Sequence, residues 1–366
     1  MASMTLNINE VSSSGSKPDN NTEVLSISII VPVYNESKYI TGVLDKLLEQ
    51  NYPKTSFEII VVDGRSTDGT YELAECYAEK YSNVTLLKNP RRLASAARNI
   101  GIRASGGDII LIVDGHCTIR DTQMLTNINC LMQNPEVSGL GRPQPLLHDA
   151  LSPVQTAIAL SRQSRLGHQP DSFVYSDGPQ FVPAHSVGVA YRRSVFDKIG
   201  LFDESFDACE DCELNSRFDE AGLKCYFSPE IGVNYIPRDT LPKLWKQMVR
   251  YGKGRVRLIH KHPGAFSPLL FMPAFFVIGL MAGACLSVLS SFIAMIYVSV
   301  LVIYTAMIAV ESLRISIHHR FPFGVFLIPL TLFTIHTAAG TGLILETFFG
   351  KRHTAKRNES SENKNP

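Results

Sequence analysis

The chain carries almost no net charge. Its 35 Lys and Arg against 34 Asp and Glu leave +1 at pH 7, so no basic surface for nucleic acid is implied. Cysteine is scarce and unpatterned: of seven residues, only Cys209-Glu-Asp-Cys212 has the C-x-x-C spacing. No second pair supports zinc and no thioredoxin-like context surrounds this one, so reduced thiols in a cytosolic domain are the simpler reading. No G-x-G-x-x-G follows the first strand, which removes the dinucleotide fingerprint, and G-x-x-x-x-G-K-[S/T] is missing, which disfavours a P-loop NTPase. Residues 1–24 have no apolar run of the kind a secretory signal needs. Rich in Ser, Asn and Gly, they read as a disordered tail. Residues 350–366 read as a second polar tail.

What is present alternates in period. Leu25 to Val33 is apolar and β-branched and reads as a buried strand. Ile40, Val43, Leu44, Leu47 and Leu48 then recur on one helical face. Asn35 or Ser37 is placed to cap that helix, and Pro53 stops its continuation. Phe57–Val62 is a second strand, with Asp68 or Thr70 opening a helix to about Tyr81. Val84–Leu87 is a third strand. Leu93–Ala104 is a helix closed by Gly106-Gly107, and Ile109–Val113 is a fourth strand. Strands and helices at this spacing imply parallel βαβ units. Residues 138–240 are less regular: a strand is expected at Ser186–Ala190, a short helix at Arg193–Ile199, and a helix at Glu210–Glu220 with Leu214 and Phe218 inward.

Asp108-Ile-Ile-Leu-Ile-Val-Asp-Gly-His116 is the most telling stretch. An apolar run bounded by polar residues is a strand buried on both faces. Ligands of open α/β sheets sit just beyond the carboxyl ends of such strands. Asp114 and His116 are therefore placed where a metal-bound phosphate ligand is expected. Tyr34-Asn35-Glu36 and Asp63 end the first two strands on the same edge, which makes a cleft.

After residue 240 the chain changes character. Residues 241–265 are basic. From 266 to 349 apolar residues dominate, with Ser267–Leu289, Ser290–Ser312 and Phe323–Phe349 each about long enough to span a bilayer. Lys246, Arg250, Lys253, Arg255, Arg257 and Lys261 put the preceding domain on the cytoplasmic side, and Arg314 and Arg320 return the chain there after two spans. Lys351, Arg352, Lys356 and Arg357 also belong on that side, so a third full crossing conflicts with the charge rule. His336 reads as a satisfied packing histidine in this segment. His185, in the loop Pro183-Ala-His-Ser, is weighed as an acceptor or metal contact and reads as a loop histidine without a role.

Val31-Pro-Val-Tyr-Asn-Glu36, Ser66-Thr-Asp-Gly69, Ala97-Arg-Asn-Ile-Gly101, Asp114/His116, Gly200-Leu-Phe-Asp-Glu204 and Glu210-Asp211 follow one another in order. Together they resemble the family 2 glycosyltransferases of GT-A fold, over roughly residues 25–260. Within that family the chain resembles membrane-attached ExoA-type enzymes of succinoglycan synthesis, which share the Asp-x-His and Arg-Tyr-Gly-x-Gly-Arg elements. The resemblance implies an α/β, Rossmann-like GT-A domain with a mainly parallel sheet over 25–240. A basic interfacial segment (241–265) and two to three membrane helices (266–349) follow, in a multi-pass protein of the plasma membrane with its catalytic domain cytoplasmic. Two departures stand out: Gly64 replaces a second acidic residue after Asp63, and His116 replaces the second Asp of the usual Asp-x-Asp. Imidazole remains an acceptable ligand for Mn²⁺.

By this resemblance the donor is a nucleotide-sugar, with uridine the expected base. Pro32, Tyr34, Asn35, Glu36, Asp63, Arg98 and Asp114 bind it, and Asp114 and His116 hold a divalent cation (Mn²⁺ or Mg²⁺). For Asn35 and Glu36 the competing reading is helix capping, and for Arg98 a helix surface. Asp211 is the general base, with Glu210 and Glu213 as neighbours. Glu210, Gln247, Arg250 and Tyr251 meet the diphosphate and the acceptor. The acceptor is a polyprenyl-linked saccharide at the membrane lipid surface, with polysaccharide-assembly proteins as partners. A polyprenyl-phosphate sugar synthase, a processive synthase and a catalytically silent scaffold of the same fold are the competing readings.

Overall fold

The computed structural model describes residues 23–146, 151–167, 173–176 and 178–350. The two expected tails lie outside them except for their innermost residues. The elements run β1 (Ile27–Val33), α1 (Ile40–Leu48), β2 (Phe57–Asp63), α2 (Thr70–Lys80), β3 (Val84–Lys88), α3 (Ala94–Ala104), β4 (Ile109–Ile112), β5 (Cys117–Ile119), α4 (Met124–Met132), β6 (Gly139–Gly141) and α5 (Pro153–Gln163). They continue with β7 (Gln180–Val182), β8 (Gly188–Arg192), α6 (Arg193–Ile199), α7 (Glu210–Glu220), β9 (Cys225–Phe227), β10 (Val233–Tyr235), α8 (Leu241–Lys261), α9 (Met272–Leu286), α10 (Ser291–His318) and α11 (Gly324–Phe349).

One eight-stranded sheet, in the order β3-β2-β1-β4-β8-β6-β9-β7, organises the first 230 residues. Its first four strands are parallel, and β8 joins β4 antiparallel. Alternate residues of each strand feed opposite cores. Ile29, Val31 and Leu111 pack with α1 and α4 on one face; Ile30, Ile110 and Ile112 pack with α3, α6 and α7 on the other. That two-faced burial is why β4 has no polar residue. A separate ladder pairs β10 with β5 antiparallel, setting Tyr235 opposite Cys117.

Three local expectations are corrected. Helix α1 begins after Tyr39 with no side-chain cap. Neither Asn35 nor Ser37 reaches it, because the backbone of their loop is bonded to the loop after β2. Helix α3 is not closed by a left-handed glycine: Ser105 ends it in extended conformation, and a side chain on Gly107 would collide with Ser28. The strand expected at Ser186–Ala190 lies two residues later as β8, after a 3₁₀ turn at Ala184–Ser186.

Beyond the sheet, α8 is amphipathic. Leu244, Met248, Gly252 and Val256 form its buried stripe, while Lys243, Trp245, Lys246 and Arg250 are exposed. Its glycines permit close approach. A methyl group on Gly252 would overlap the Ala339 carbonyl of α11, and one on Gly342 would overlap the Val249 carbonyl of α8. Among the described residues three helices, Pro268–Leu286, α10 and α11, are long and apolar enough to cross a membrane by length and composition.

Candidate active site

The cleft is built where β1, β2 and β4 end together. Val33 is in register with Asp63, and Ile30 with Ile112, so the residues that follow share one edge. The two loops there are laced to each other. Asn35 N–H donates to Ser66 Oγ (2.9 Å), Thr67 N–H to Asn35 Oδ1 (2.9 Å), Glu36 N–H to Thr70 Oγ1 (2.8 Å) and Ser37 N–H to Asp68 Oδ2 (3.1 Å). Asp68 feels some burial but accepts from Thr70 and Ser37, which lowers its carboxyl to about 2. The Ser66-Thr-Asp-Gly69 motif thus acts as a brace for the loop after β1.

Non-glycine residues in left-handed conformation cluster at this edge: Asn35 (φ 56°), Arg65 (φ 63°) and Arg92 (φ 58°) follow β1, β2 and β3, and Cys209 (φ 60°) precedes α7. Such conformations persist where surrounding contacts over-determine them, commonly at functional sites. Tyr34 is exposed, with the Arg92 guanidinium 5.8 Å from its ring centroid. Asp63 is buried; its Oδ2 accepts from Ser66 N–H (3.1 Å), while Oδ1 has no partner among the described residues. Pro32 sits within β1, half-buried beside them.

Asp114 is the hub. Its Oδ2 accepts from Tyr235 Oη (2.9 Å), and its Oδ1 lies 3.5 Å from Arg98 Nη2. Burial opposes its ionisation, but Arg98, His116 and Tyr235 together hold the carboxyl below its ordinary range. His116 Nδ1 lies 3.0 Å from Glu36 Oε1, and its ring meets Tyr235 edge-on. Burial would lower the imidazole's pKa, yet Glu36 outweighs it and raises it. Glu36 is therefore not a helix cap: its Oε1 pairs with His116 Nδ1. Arg142 is fully buried nearby. Its Nη2 donates to the Ile112 carbonyl (3.2 Å), while Nε and Nη1 have no partner among the described residues.

Arg98 joins this hub to the opposite wall. It lies on α3 but is buried, which overturns the helix-surface reading. Its Nη1 donates to Glu210 Oε1 (2.8 Å), and its guanidinium covers Phe202. The Gly200-Leu-Phe-Asp-Glu204 segment is latched to α3 as well: Asn99 exchanges hydrogen bonds with the Phe202 backbone and reaches Glu204. Burial pushes the Glu210 carboxyl up, against the pull of Arg98. Asp211, one residue on, is exposed, and among the described residues its carboxylate accepts only from the Cys212 N–H (2.8 Å). Both stand in the first turn of α7, where the helix dipole favours negative charge.

Residues 28–200 match the glycosyl transferase family 2 model. The chain carries a family 2 glycosyltransferase domain. Across 86% of this chain and 95% of its own length, a Methanococcus voltae protein is 28% identical; it is a dolichyl N-acetyl-α-D-glucosaminyl phosphate 3-β-D-2,3-diacetamido-2,3-dideoxy-β-D-glucuronosyltransferase. The succinoglycan biosynthesis protein ExoA of Rhizobium meliloti is 29% identical over 70% of this chain and 83% of its own. In fold, the glycosyltransferase is similar to a mannosyltransferase from Pyrobaculum calidifontis solved with GDP-mannose and Mn²⁺. Its TM-score is 0.60 at 19% identity, covering 89% of this chain and 88% of that one.

Not every residue expected at the glycosyltransferase site is gathered there. Gln247 and Tyr251 bond to each other on α8 (3.1 Å), and the Tyr251 carbonyl lies 3.9 Å from Cys209 Sγ, so this pair flanks the turn that leads into α7. Arg250 is exposed on α8 with no ion pair among the described residues; Arg255 is the α8 cation within electrostatic reach of Asp211. Glu213 is not part of the carboxylate cluster. It is fully buried between Arg217, Lys261 and His262. His185 is paired with Asp219, and His336 accepts from Tyr304 and donates to the Leu166 carbonyl, as a packing histidine does. Cys209 and Cys212 are free thiols. Tyr235 and Arg142 were invisible to sequence reading. Tyr235 lies 121 residues from Asp114, and only the three-residue β5–β10 ladder brings them together.

Proposed function

We propose that the protein is an inverting glycosyltransferase that moves a sugar from a nucleotide-sugar, with UDP-sugars the first class to test, to a lipid-linked saccharide at the membrane surface in cell-surface polysaccharide assembly. The observation that carries it is Arg98. One buried guanidinium bridges Asp114 on the donor edge and Glu210 on the helix that bears Asp211, so both halves of a transfer site are held within the span of a single side chain. The M. voltae relative is named for a dolichyl-phosphate-linked acceptor and is matched over 95% of its length, which supports the acceptor class.

In this reading the acceptor hydroxyl attacks the anomeric carbon from the face opposite the leaving group. The C–O bond to the diphosphate breaks as the new glycosidic bond forms, giving a nucleoside diphosphate and an inverted centre. The proton passes to the Asp211 carboxylate. Asp63 Oδ1 accepts from the nucleobase, and Tyr34 offers it a stacking face. The proposed divalent cation would be held by the Asp114 carboxylate and His116 Nε2. Among the described residues no group of three metal-ligating side chains occurs, and two ligands suit a cation whose shell the donor phosphates complete. When bound, it neutralises charge on the departing diphosphate. The fold neighbour's Mn²⁺ is in keeping with this.

The test is release of nucleoside diphosphate by purified protein in detergent. UDP- and GDP-sugars are screened with Mn²⁺ or Mg²⁺, with and without a polyprenyl-diphosphate sugar, against Asp114→Ala. Release that requires metal and lipid acceptor and is lost in the variant is expected. No release and no metal-dependent nucleotide binding would leave the silent scaffold.

Tyr235→Phe keeps the ring against His116 and deletes the hydrogen bond to Asp114. Outer-shell changes of this kind typically cost about 10–100-fold in metal affinity. Calorimetric titration of Mn²⁺ in the presence of nucleoside diphosphate should show such a weakening in a protein that remains folded, with a melting temperature lowered by no more than the lost hydrogen bond accounts for; unchanged affinity would remove Tyr235 from the site.

A further inference from the structure

The apolar C-terminal region is not uniform. No Asp, Glu, Lys or Arg occurs between Lys261 and Glu311. Helix α9, the turn after it and the first half of α10 are exposed on most sides, including Met281 and Phe292 and, in the turn, Val288 and Leu289. Helix α11 differs: half of its most apolar window is buried inside the protein, against 6% for each of the other two.

Both ends of α11 are tied to the catalytic unit. Near its start, Ile328 and Leu332 pack with Ala157 and Leu160 of α5, and His336 Nε2 bonds to the Leu166 carbonyl (2.7 Å). Near its end, Glu346 Oε1 accepts from Arg257 Nε (2.7 Å). Arg257 Nη1 in turn donates to Asp207 Oδ1 (2.6 Å), three residues before Glu210. In between, Ile335 and Ala338 meet Leu244 and Met248, and Leu343 meets Val256, so α8 and α11 run side by side in the same direction. A 26-residue helix is about 39 Å long at ~1.5 Å per residue. One that crosses must set its ends on opposite sides of a hydrocarbon layer of about 30 Å.

We propose that α11 does not cross the bilayer: it lies along the membrane surface beside α8 as the floor of the catalytic domain, and α9 and α10 form the hairpin that enters the apolar layer. The proposal rests on the membrane-attached reading above. It places Phe326, Leu330 and Phe348, exposed on α11, against the acyl boundary, while α5 and α8 cover the opposite face. It also removes the conflict in the charge pattern. Lys351, Arg352, Lys356 and Arg357 then fall on the same side as Lys246 and Arg250, where cationic flanks collect. The floor touches the chemistry through Arg257 and through Gly254, where a side chain would collide with Ala208 and Cys209.

The experiment uses full-length protein carrying Lys351→Cys, with Asn358→Cys as a second reporter, in cells of an expressing bacterium. Spheroplasts and inverted inner-membrane vesicles are treated with a membrane-impermeant maleimide, and labelling is read peptide by peptide. Cys76 and Cys130, both exposed on the catalytic unit, report its side. Labelling of the introduced thiol together with Cys76 and Cys130 in inverted vesicles, and of none of them in spheroplasts, is the expected result. Labelling of the tail in spheroplasts while Cys76 stays protected would overturn the proposal. Loss of the protein from membranes in an alkaline carbonate wash is a separate outcome: it would remove the membrane-attached reading itself.

Discussion

Replacing Asp211 by Asn should lower the turnover number by about 10²–10⁴-fold, the usual contribution of a positioned general base, while donor affinity stays unchanged. The substitution is nearly isosteric. The amide oxygen can still accept from Cys212 N–H, the contact Asp211 makes at the head of α7, so the fold has no reason to shift. The contrast with Glu210 makes this informative. Glu210 is buried and bonded to Arg98, whereas Asp211 is exposed and free of any ion pair among the described residues. Only the latter is available to an incoming hydroxyl. Single-turnover transfer and nucleotide binding, measured on the same preparation, separate the two effects. Retained turnover would mean that the acceptor is already an anion, as a lipid phosphate is. The polyprenyl-phosphate synthase reading would then replace the saccharide acceptor.

Glu213→Ala should destabilise the protein by about 3 kcal/mol, the lower end of what breaking a buried ion pair costs. Glu213 is fully buried. It receives Arg217 Nη2 at 2.7 Å and Nε at 2.9 Å, and Lys261 Nζ at 2.8 Å, with His262 Nε2 at 3.3 Å. The lower end is chosen because Lys261 keeps Asp203 and Arg217 keeps the Leu201 carbonyl, so neither cation is wholly stranded. A loss of that size corresponds to a melting temperature lower by roughly 6–12 °C for a unit of this size. Lys243→Ala, which breaks an exposed pair with Asp239, serves as the control and should stay within about 1 kcal/mol of the parent. Equal effects of the two changes would show that Glu213 does not tie α7 to the end of α8. Because α7 carries Glu210 and Asp211, the same variant should also lose activity, in parallel with its stability.

The parallel half of the sheet and the polar residues at its carboxyl edge are legible along the chain. Each of β1, β2 and β4 is a mainly apolar segment whose burial pattern is written locally, and Tyr34, Asn35, Glu36, Asp63 and Asp114 stand where those strands end. The basic character of the α8 segment and the apolar length of the last three helices were legible for the same reason; the buried stripe of α8 was not. Sequence reading faltered after residue 138, because β6, β7, β9 and β10 are three residues long and too short to carry a period.

Which charge meets which was settled by packing between distant segments. Arg98 could have faced solvent from α3; it is buried because Glu210 and Asp114 approach it from separate elements. Glu213 looked like one of a carboxylate cluster, but Lys261 and His262 at the end of α8 claim it. Tyr235 reaches Asp114 through a ladder no local pattern announces. Helix α11 has the composition of a membrane span, yet one of its faces is buried against α5 and α8. Periodicity records which face of an element must leave water; it does not record whether protein or lipid will cover that face, or which partner will compensate a buried charge. Those outcomes depend on contacts between residues far apart in the chain.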